Sequence, residues 1–551
     1  MKKICIVGGG ATGWMVACYL NKFVNHSQVT LVESSKVGVI GVGETVQVHV
    51  TRFLQEMEVN EHDMMKETGS IYKYGNNFID WSENNEFFPF RWNLNFSDIN
   101  QLLTNSQKNK DPFLSLKELH KTNLENYTSV QNNQDSLTNA WISLYLNNKI
   151  KGTFSESLSS HEYFSKNNKV PFIKELLFES DGLQHAYHIN AEKFGDYLKR
   201  KVGINKGIVH KIGHVSDIKF EDNTNLIIDK LILDTGEEIE SDLYIDCTGF
   251  HRVLINKLNR KWKHYTDMPA DTAMVCQADY NNPEIDMVNY TKSICMSEGW
   301  AFDISLYHRK GTGYIFSSDL SDQSSVTDEY HQKLLSKFKP RFEPRTIRWE
   351  KKRLINPAEG NVVAIGMSSG FIEPMEANLL SIVVNATWSL VNSICKNPEN
   401  IKRINWKEFN QTMADTYEDV ADFILVHYTL SSKFDTPFWK EMQSLGQRKK
   451  HADLLFEKYY SNKNSFLGAA SGHCIFPDYM WLQLAVGWGI DTTKWPKKHI
   501  SEADLISIER FLENQKKLTV ECLDQFTNNY QYHKSNIFNN IPFNEYENFL
   551  Q

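Results

Sequence analysis

The stretch KICIVGGGATGWMVACYLNKF, residues 3–23, decides the fold. Residues 3–7 are a short, mostly apolar run closed by glycine, the pattern of a buried strand. GGGATG follows, and WMVACYLNKF then carries apolar residues at helical spacing. Gly8, Gly10 and Gly13 therefore form G-x-G-x-x-G between a strand and a helix. Gly8 permits the tight turn, Gly10 lets a pyrophosphate approach the backbone, and Gly13 lets helix and strand pack closely. Ala11 and Thr12 open the helix, whose N-terminus favours negative charge. A second strand, VTLVE, ends at Glu33, twenty residues after Gly13. A carboxylate at that spacing accepts hydrogen bonds from a ribose 2′-OH. Strand, glycines, helix, strand and acid in register predict a Rossmann-type nucleotide-binding part; the motif alone does not separate FAD from NAD.

Two later segments return to the same sheet. DLYIDCTGFHRVLI, residues 242–255, reads as an apolar strand followed by a turn at Gly249, and GNVVAIGMSSGFIEPME, residues 360–376, as another strand followed by Gly366. Such returns are expected when a long cofactor crosses several strand ends. Before the first of them, GIVHKIGHVSDIKF, residues 207–220, and LIIDKLILDTGEEIE, residues 226–240, alternate as strands of a hairpin region.

Composition excludes several classes. With 551 residues, 41% of them apolar, the chain can bury a large core. Its net charge of -8 is spread along the chain, so no concentrated basic face points to nucleic acid. The eight cysteines form no CxxC pair and no zinc-like cluster with histidine, so no metal site is expected. Unpaired thiols and the absence of a cleavable leader before the first strand point to a cytoplasmic protein. No apolar run approaches the length of a membrane span, and YMWLQLAVGWGI, residues 479–490, reads as a packed helix.

One stretch resists a purely structural reading. GSIYKYGNNFIDW, residues 69–81, places Lys73 between Tyr72 and Tyr74. On an alternating strand such a lysine can point outward with its ammonium in water. A lysine buried among aromatics would instead lose much of its basicity.

Taken together, these residues resemble the flavin-dependent halogenases, the family that includes the tryptophan halogenases. The resemblance rests on IVGGGATGWMVA, VIGVGET at 39–45, SIYKYGNNFIDW at 70–81, AYHINAEKFGDYL at 186–198, LYIDCTGF at 243–250 and GFIEPMEANLLS at 370–381. It runs from residue 1 to about residue 440 and is loose beyond. It implies an α/β fold with an FAD-binding part of the flavin monooxygenase kind, a mixed-sheet substrate part and a helical C-terminal lid. The implied boundaries are 1–80, 185–255 and 355–400 for the FAD-binding part. Residues 81–184 and 256–354 form an inserted substrate-side part, and 401–551 the lid. The family uses reduced FAD (FADH2), supplied by a separate flavin reductase, with O2 and a halide ion. The resulting hypohalous acid travels to a lysine beside a small aromatic substrate. By resemblance Lys73 is that lysine and Glu376 its partner. The loop around Gly41, Gly43 and Glu44 resembles the strap over the flavin.

The sequence also departs from the family pattern. The W-x-W-x-I-P signature beside the flavin appears as GWAFDISL, residues 299–306, which keeps Trp300 and Ile304 but has Phe302 and Ser305. Phe302 keeps an aromatic wall without the indole N–H, and Ser305 frees the backbone from the proline constraint. After Glu376, where the family has E-S-T-[GS] with halide-touching amides, stand Asn378 and Leu379. The altered cup favours bromide or iodide over chloride. Met367 follows Gly366 where a polar residue is common, which predicts weak FAD retention. Trp141, Phe154, Trp439, Trp481 and Trp488 are candidate ring contacts for an indole or phenol. A direct aromatic hydroxylase or epoxidase stays open as the alternative, as do a decayed flavin-binding scaffold, a carrier-bound substrate and a homo-oligomer.

Overall fold

The computed structural model describes residues 1–89 except 39–40, 42 and 83–85, most of 141–170, 185–449 except 222–225 and 431–432, most of 475–488, scattered positions from 502 to 523, and 526–549. The opening stretch folds as its pattern requires. The strand Lys2–Val7 leads through the glycines into the helix Ala11–Phe23 and back to the strand Ser27–Glu33. Lys2–Val7 is the centre of a six-stranded sheet, flanked in parallel by Leu243–Asp246 and by Ser27–Glu33. Val362–Ala364 and Val209–Ile212 extend the parallel set on either side, and Ala358–Glu359 closes one edge antiparallel.

The apolar run of the central strand is unbroken because both of its faces are covered. Ile4 and Ile6 pack into the main core under the first helix, while Cys5 and Val7 face a second cluster with Ile228, Leu231 and Tyr244. A parallel strand buried on both sides has no solvent-facing register to fill with polar residues. The expected hairpin region divides in two. Val209–Ile212 joins the parallel sheet, whereas Val215–Phe220, Ile228–Leu233 and Glu238–Glu240 form a separate antiparallel sheet on the other side.

A second, eight-stranded sheet stands against the first. Thr272–Asp279, Lys310–Phe316, Gly299–Ser305 and Thr291–Met296 run antiparallel, and Gly75–Ile79 joins them in parallel on Thr291–Met296. Gly75–Ile79, which the sequence placed in the nucleotide-binding part, therefore belongs to the second sheet. Ser305 does not loosen this sheet: it pairs with Lys310, and its hydroxyl accepts from the Val288 amide and the Lys310 ammonium. Ile71–Lys73 sits in a small third sheet, paired with Ala186–Ile189, whose other neighbour is Glu44–Thr45.

Two long helices complete the frame. Leu379–Lys396 packs beside the first helix, and Lys407–Leu430 packs on it in turn. Among the described residues the segment Met375–Lys396 is the one helix long and apolar enough to cross a membrane, but 72% of its most apolar window is buried within the molecule. Of the C-terminal helices expected from sequence, Pro437–Lys449 and Asp478–Gly487 are seen. HADLLFEKYYS lies outside the described residues, as does most of SEADLISIERFLENQKKL.

Candidate functional site

A cavity of about 420 Å3 runs between the two sheets. At one end it is backbone. Gly8 has φ 118, and a Cβ there would lie 2.4 Å from the Cys247 carbonyl oxygen. A Cβ on Gly13 would lie 1.8 Å from the Gly8 oxygen, so this glycine is what lets helix and strand meet. A Cβ on Gly10 would meet nothing within 4 Å. Its Cα faces the open cavity, where a ligand's pyrophosphate has room. Glu33 lines the same end, held by Lys199 at 3.1 Å and His210 at 2.7 Å. Gly249 follows a turn fixed by buried Asp246, whose two oxygens accept from Thr248, Leu254 and Ile255. Gly366, at φ 75, brings the end of the strand Val362–Ala364 against Thr12. These residues fit a dinucleotide laid across the strand ends.

Further along, Gly41, Gly43 and Glu44 line one side of the cavity and Met367 another. Burial pushes the Glu44 carboxyl up to about 7 against the pull of Arg309. Trp300 and Phe302 share one face of their strand and line the opposite wall, with ring centroids 6.3 Å apart. Phe302 lies over its cross-strand partner Gly313, where a Cβ would come within 2.4 Å of the ring. The segment 256–354 thus supplies part of the cavity wall.

The far end of the cavity is made of side chains. Asn76, Glu376, Asn378 and Leu379 line it. Glu376 and Ala377 are both left-handed, at φ 59 and φ 53. Such a conformation costs a non-glycine residue about 1–3 kcal/mol and persists only where the surroundings enforce it. Here Gln47 donates to the Glu376 carbonyl at 2.6 Å, and the Asn378 side chain donates to the Met375 carbonyl at 2.7 Å. The turn ends at the helix Leu379–Lys396, whose first N–H groups have no partner within the helix.

The Glu376 carboxylate is buried and unevenly served. Asn76 and Gln47 both donate to Oε2, while Oε1 lies 3.3 Å from His427 Nε2. Lys73 does not point outward. It is fully buried, and its Nζ donates to the Val46 carbonyl at 3.3 Å. Burial lowers its pKa to about 7, with Glu376 pulling the other way. On the opposite face of the strand, Tyr72 joins Glu61 and His62 in hydrogen bonds. Glu373, three residues before Glu376, is buried, receives the Tyr428 hydroxyl at 2.9 Å and is pushed up to about 8 by desolvation.

Beyond Glu376 lies a block of packed rings: Phe78, Trp81, Phe88, His427 and Trp488. Trp488 is in this block. Trp439 packs on Trp81 and donates to the Met296 carbonyl, and Trp481 packs on Phe423. Trp141 is buried and stacks on Tyr145. Phe154 begins the helix Phe154–Leu158, and its side chain lies outside the described residues. Sequence reading missed Gln47, Asn76 and His427. His427 alone carried a signal, a lone imidazole in the apolar run FILVHY.

A glycine-lined cleft over parallel strand ends, walled by aromatics and ending at a buried carboxylate whose charge acts on a buried lysine, is the layout expected of a flavin-dependent oxidoreductase. The chain belongs to the tryptophan halogenase family, whose model matches residues 3–502. It is similar to tryptophan 7-halogenase RebH of Lentzea aerocolonigenes, 28% identical over 450 residues, which are 80% of this chain and 79% of that one. Tryptophan 6-halogenase SttH of Streptomyces toxytricini is 27% identical over 459 residues, covering 80% and 81%. In fold it matches a tryptophan halogenase from Shewanella frigidimarina with a TM-score of 0.77 at 22% identity, over 100% of this chain and 98% of the other. The family match extends past residue 440, where the sequence motifs fade.

Proposed function

We propose that this protein halogenates a small electron-rich aromatic ring, an indole or phenol, with Lys73 and Glu376 as the catalytic residues. The observation that carries the reading is that both side chains are buried, Glu376 at the cavity end and Lys73 within reach of its charge, which lowers the ammonium's tendency to lose its proton. Gly8, Gly10, Ala11, Thr12, Gly13, Glu33, Gly249 and Gly366 would hold FAD, with Gly41, Gly43 and Glu44 over it. Reduced FAD with O2 supplies the two-electron oxidation of halide to hypohalous acid, and a separate flavin reductase supplies the reduced cofactor. Met367 offers the cofactor a thioether where a polar partner would grip it, so FAD is retained weakly, and a protein that purified fully yellow would contradict this.

The residues then confine a reactive oxidant. Trp300 and Phe302 wall the cofactor side from the ring block. Lys73 orients hypohalous acid at its Nζ, the one strong polar donor on its face of the strand. Glu376 stabilises the cationic ring that forms when the halogen adds, and takes up its proton. The amides of Asn378 and Leu379 at the helix N-terminus receive the halide. Leu379 makes this cup bulkier and less polar than Gly or Ser would. The larger halides need less desolvation free energy and are easier to oxidise, so bromide and iodide are used in preference to chloride.

The test is mass spectrometry of indole incubated with protein, FAD, a flavin reductase, NADH, O2 and catalase, with chloride, bromide and iodide separately and in competition. Halogenated product that disappears in Lys73→Ala and in Glu376→Ala supports the reading. Hydroxylated product that forms without halide and survives Lys73→Ala would overturn it in favour of a monooxygenase. Chloride turnover above both other halides would refute the halide preference alone.

A further inference from the structure

The two oxygens of Glu376 have different surroundings. Oε2 receives Asn76 and Gln47, whereas Oε1 has no hydrogen-bond donor among the described residues and faces His427 Nε2 at 3.3 Å. His427 is fully buried on the long helix Lys407–Leu430. Its Nδ1 lies 2.8 Å from the carbonyl of Phe423, one turn back. A carbonyl can only accept, so Nδ1 carries the hydrogen and in the neutral ring Nε2 is a bare lone pair. Nε2 too has no hydrogen-bond donor among the described residues. Around it stand the rings of Phe78, Trp81, Phe88, Phe423 and Trp488, with centroids 5.0 to 6.2 Å from the imidazole. Lys73 is a charged group whose field reaches the same carboxylate.

Two buried acceptors face to face leave both unsatisfied, which costs free energy that a single proton between them removes. We propose that His427 is a positioning residue that holds this one proton with Glu376, so that the pair serves the halogenation as a closed proton store. This rests on the reading of Glu376 given above. Such a store closes the proton count of the reaction. When hypohalous acid delivers its halogen, the O–X bond breaks and its electron pair stays on oxygen. That hydroxide takes the pair's proton and leaves as water. The halogen-bearing ring carbon then loses its hydrogen, the C–H electrons return to the ring, and the proton refills the pair through Glu376 Oε1. Nothing is consumed beyond the ring and hypohalous acid. His427 keeps the proton close in an apolar wall where a lone carboxyl would give it up only slowly.

Two measurements test the assignment. The first needs no turnover. The ring nitrogens of His427 are observed by 15N NMR in histidine-labelled protein, assigned with His427→Gln, and compared with Glu376→Gln. A hydrogen on Nδ1 in both proteins, with the Nε2 signal moving toward the bare-nitrogen position in Glu376→Gln, is the expected result. A hydrogen-free Nδ1, or an Nε2 signal indifferent to Glu376→Gln, would overturn the proposal. The second compares bromination of indole and ring-deuterated indole. In His427→Gln, kcat falls about 10²-fold with KM within twofold, and a primary isotope effect absent from the wild type emerges as C–H cleavage becomes limiting. A fall in rate with a raised KM and no isotope effect would make His427 a packing residue only. A wild type that halogenates nothing would sink the functional reading, while the NMR result would still decide whether the pair shares a proton.

Discussion

The two ends of one cavity are built by opposite means. At the nucleotide end the work falls to backbone: three glycines, strand ends and a helix N-terminus, all within the first 33 residues except for two returning turns. At the other end it falls to side chains. Lys73, Gln47, Asn76, Glu376 and His427 come from four separate stretches of the chain, and each is buried. Backbone sites are cheap to hold, because peptide groups already satisfied by a sheet leave a shape behind. Side-chain sites need charged groups desolvated and strained turns enforced, and the core must hold them there.

The sharpest way to break this contrast is to disable one end without the other. Lys73→Ala leaves the nucleotide end intact, so FAD binding by fluorescence titration stays within twofold of wild type while halogenated product falls by about 10³-fold or more. Loss of both together would mean that the ends are not separable. Next in size is Gly10→Ala. The backbone at Gly10, φ -76 and ψ -178, suits alanine, and the added methyl meets no protein atom within 4 Å. Thermal stability should therefore be unchanged while the FAD Kd rises about tenfold or more, roughly 1.4 kcal/mol or above. An unchanged Kd would mean that no phosphate approaches Gly10.

This asymmetry also decides what could be read in advance. The nucleotide end was legible because its logic is local: spacing along one strand–helix–strand unit reports geometry directly. The sheet order around Lys2–Val7 follows from apolar runs that return near residues 243 and 362. Lys73 stands out in the sequence for its aromatic setting, but its burial does not show there, since three strand residues do not reveal which face is covered. The pairing that covers it comes from Ala186–Ile189, more than a hundred residues on. His427 and Asn76 were not legible as partners of Glu376, because contacts across 51 and 300 residues leave no periodic trace. Phe302 shows the converse: its sequence context shows an aromatic wall without the indole N–H, and only its seat on Gly313 shows that the ring packs over the next strand.

Burial of Lys73 predicts a stability effect of its own, with a sign that can be worked out. In the unfolded chain the amine titrates near 10.4, and in the folded protein near 7. Above about pH 10.4 both states hold the neutral amine. As the pH falls from there toward 7, the unfolded chain takes up a proton that the folded chain does not, so the folded state loses stability. Below 7 the penalty is constant. Lys73→Met should thus be more stable than wild type, by on the order of a few kcal/mol below pH 7, with the gap closing toward pH 10. Urea unfolding midpoints across that range test it. A gap that widens with pH, or none, would show that Lys73 is solvated.

The smallest effect sharpens the comparison from the wall between the two ends. Restoring the family's proline by Ser305→Pro looks like a repair from sequence. It removes a hydroxyl that accepts from the Val288 amide and from the Lys310 ammonium, a cation already held by Asp303 at 2.8 Å in the second sheet. Leaving a buried amide without its acceptor costs about 1–3 kcal/mol. A proline here also sits at a strand position paired with Lys310, where its missing N–H and fixed φ are poorly placed. The expected outcome is a lower urea midpoint with halide preference unchanged, because Ser305 does not line the cavity. If Ser305→Pro instead stabilised the protein and shifted turnover toward chloride, the strand would adopt the family's path. The wall, rather than the cup at Asn378 and Leu379, would then set which halide is used.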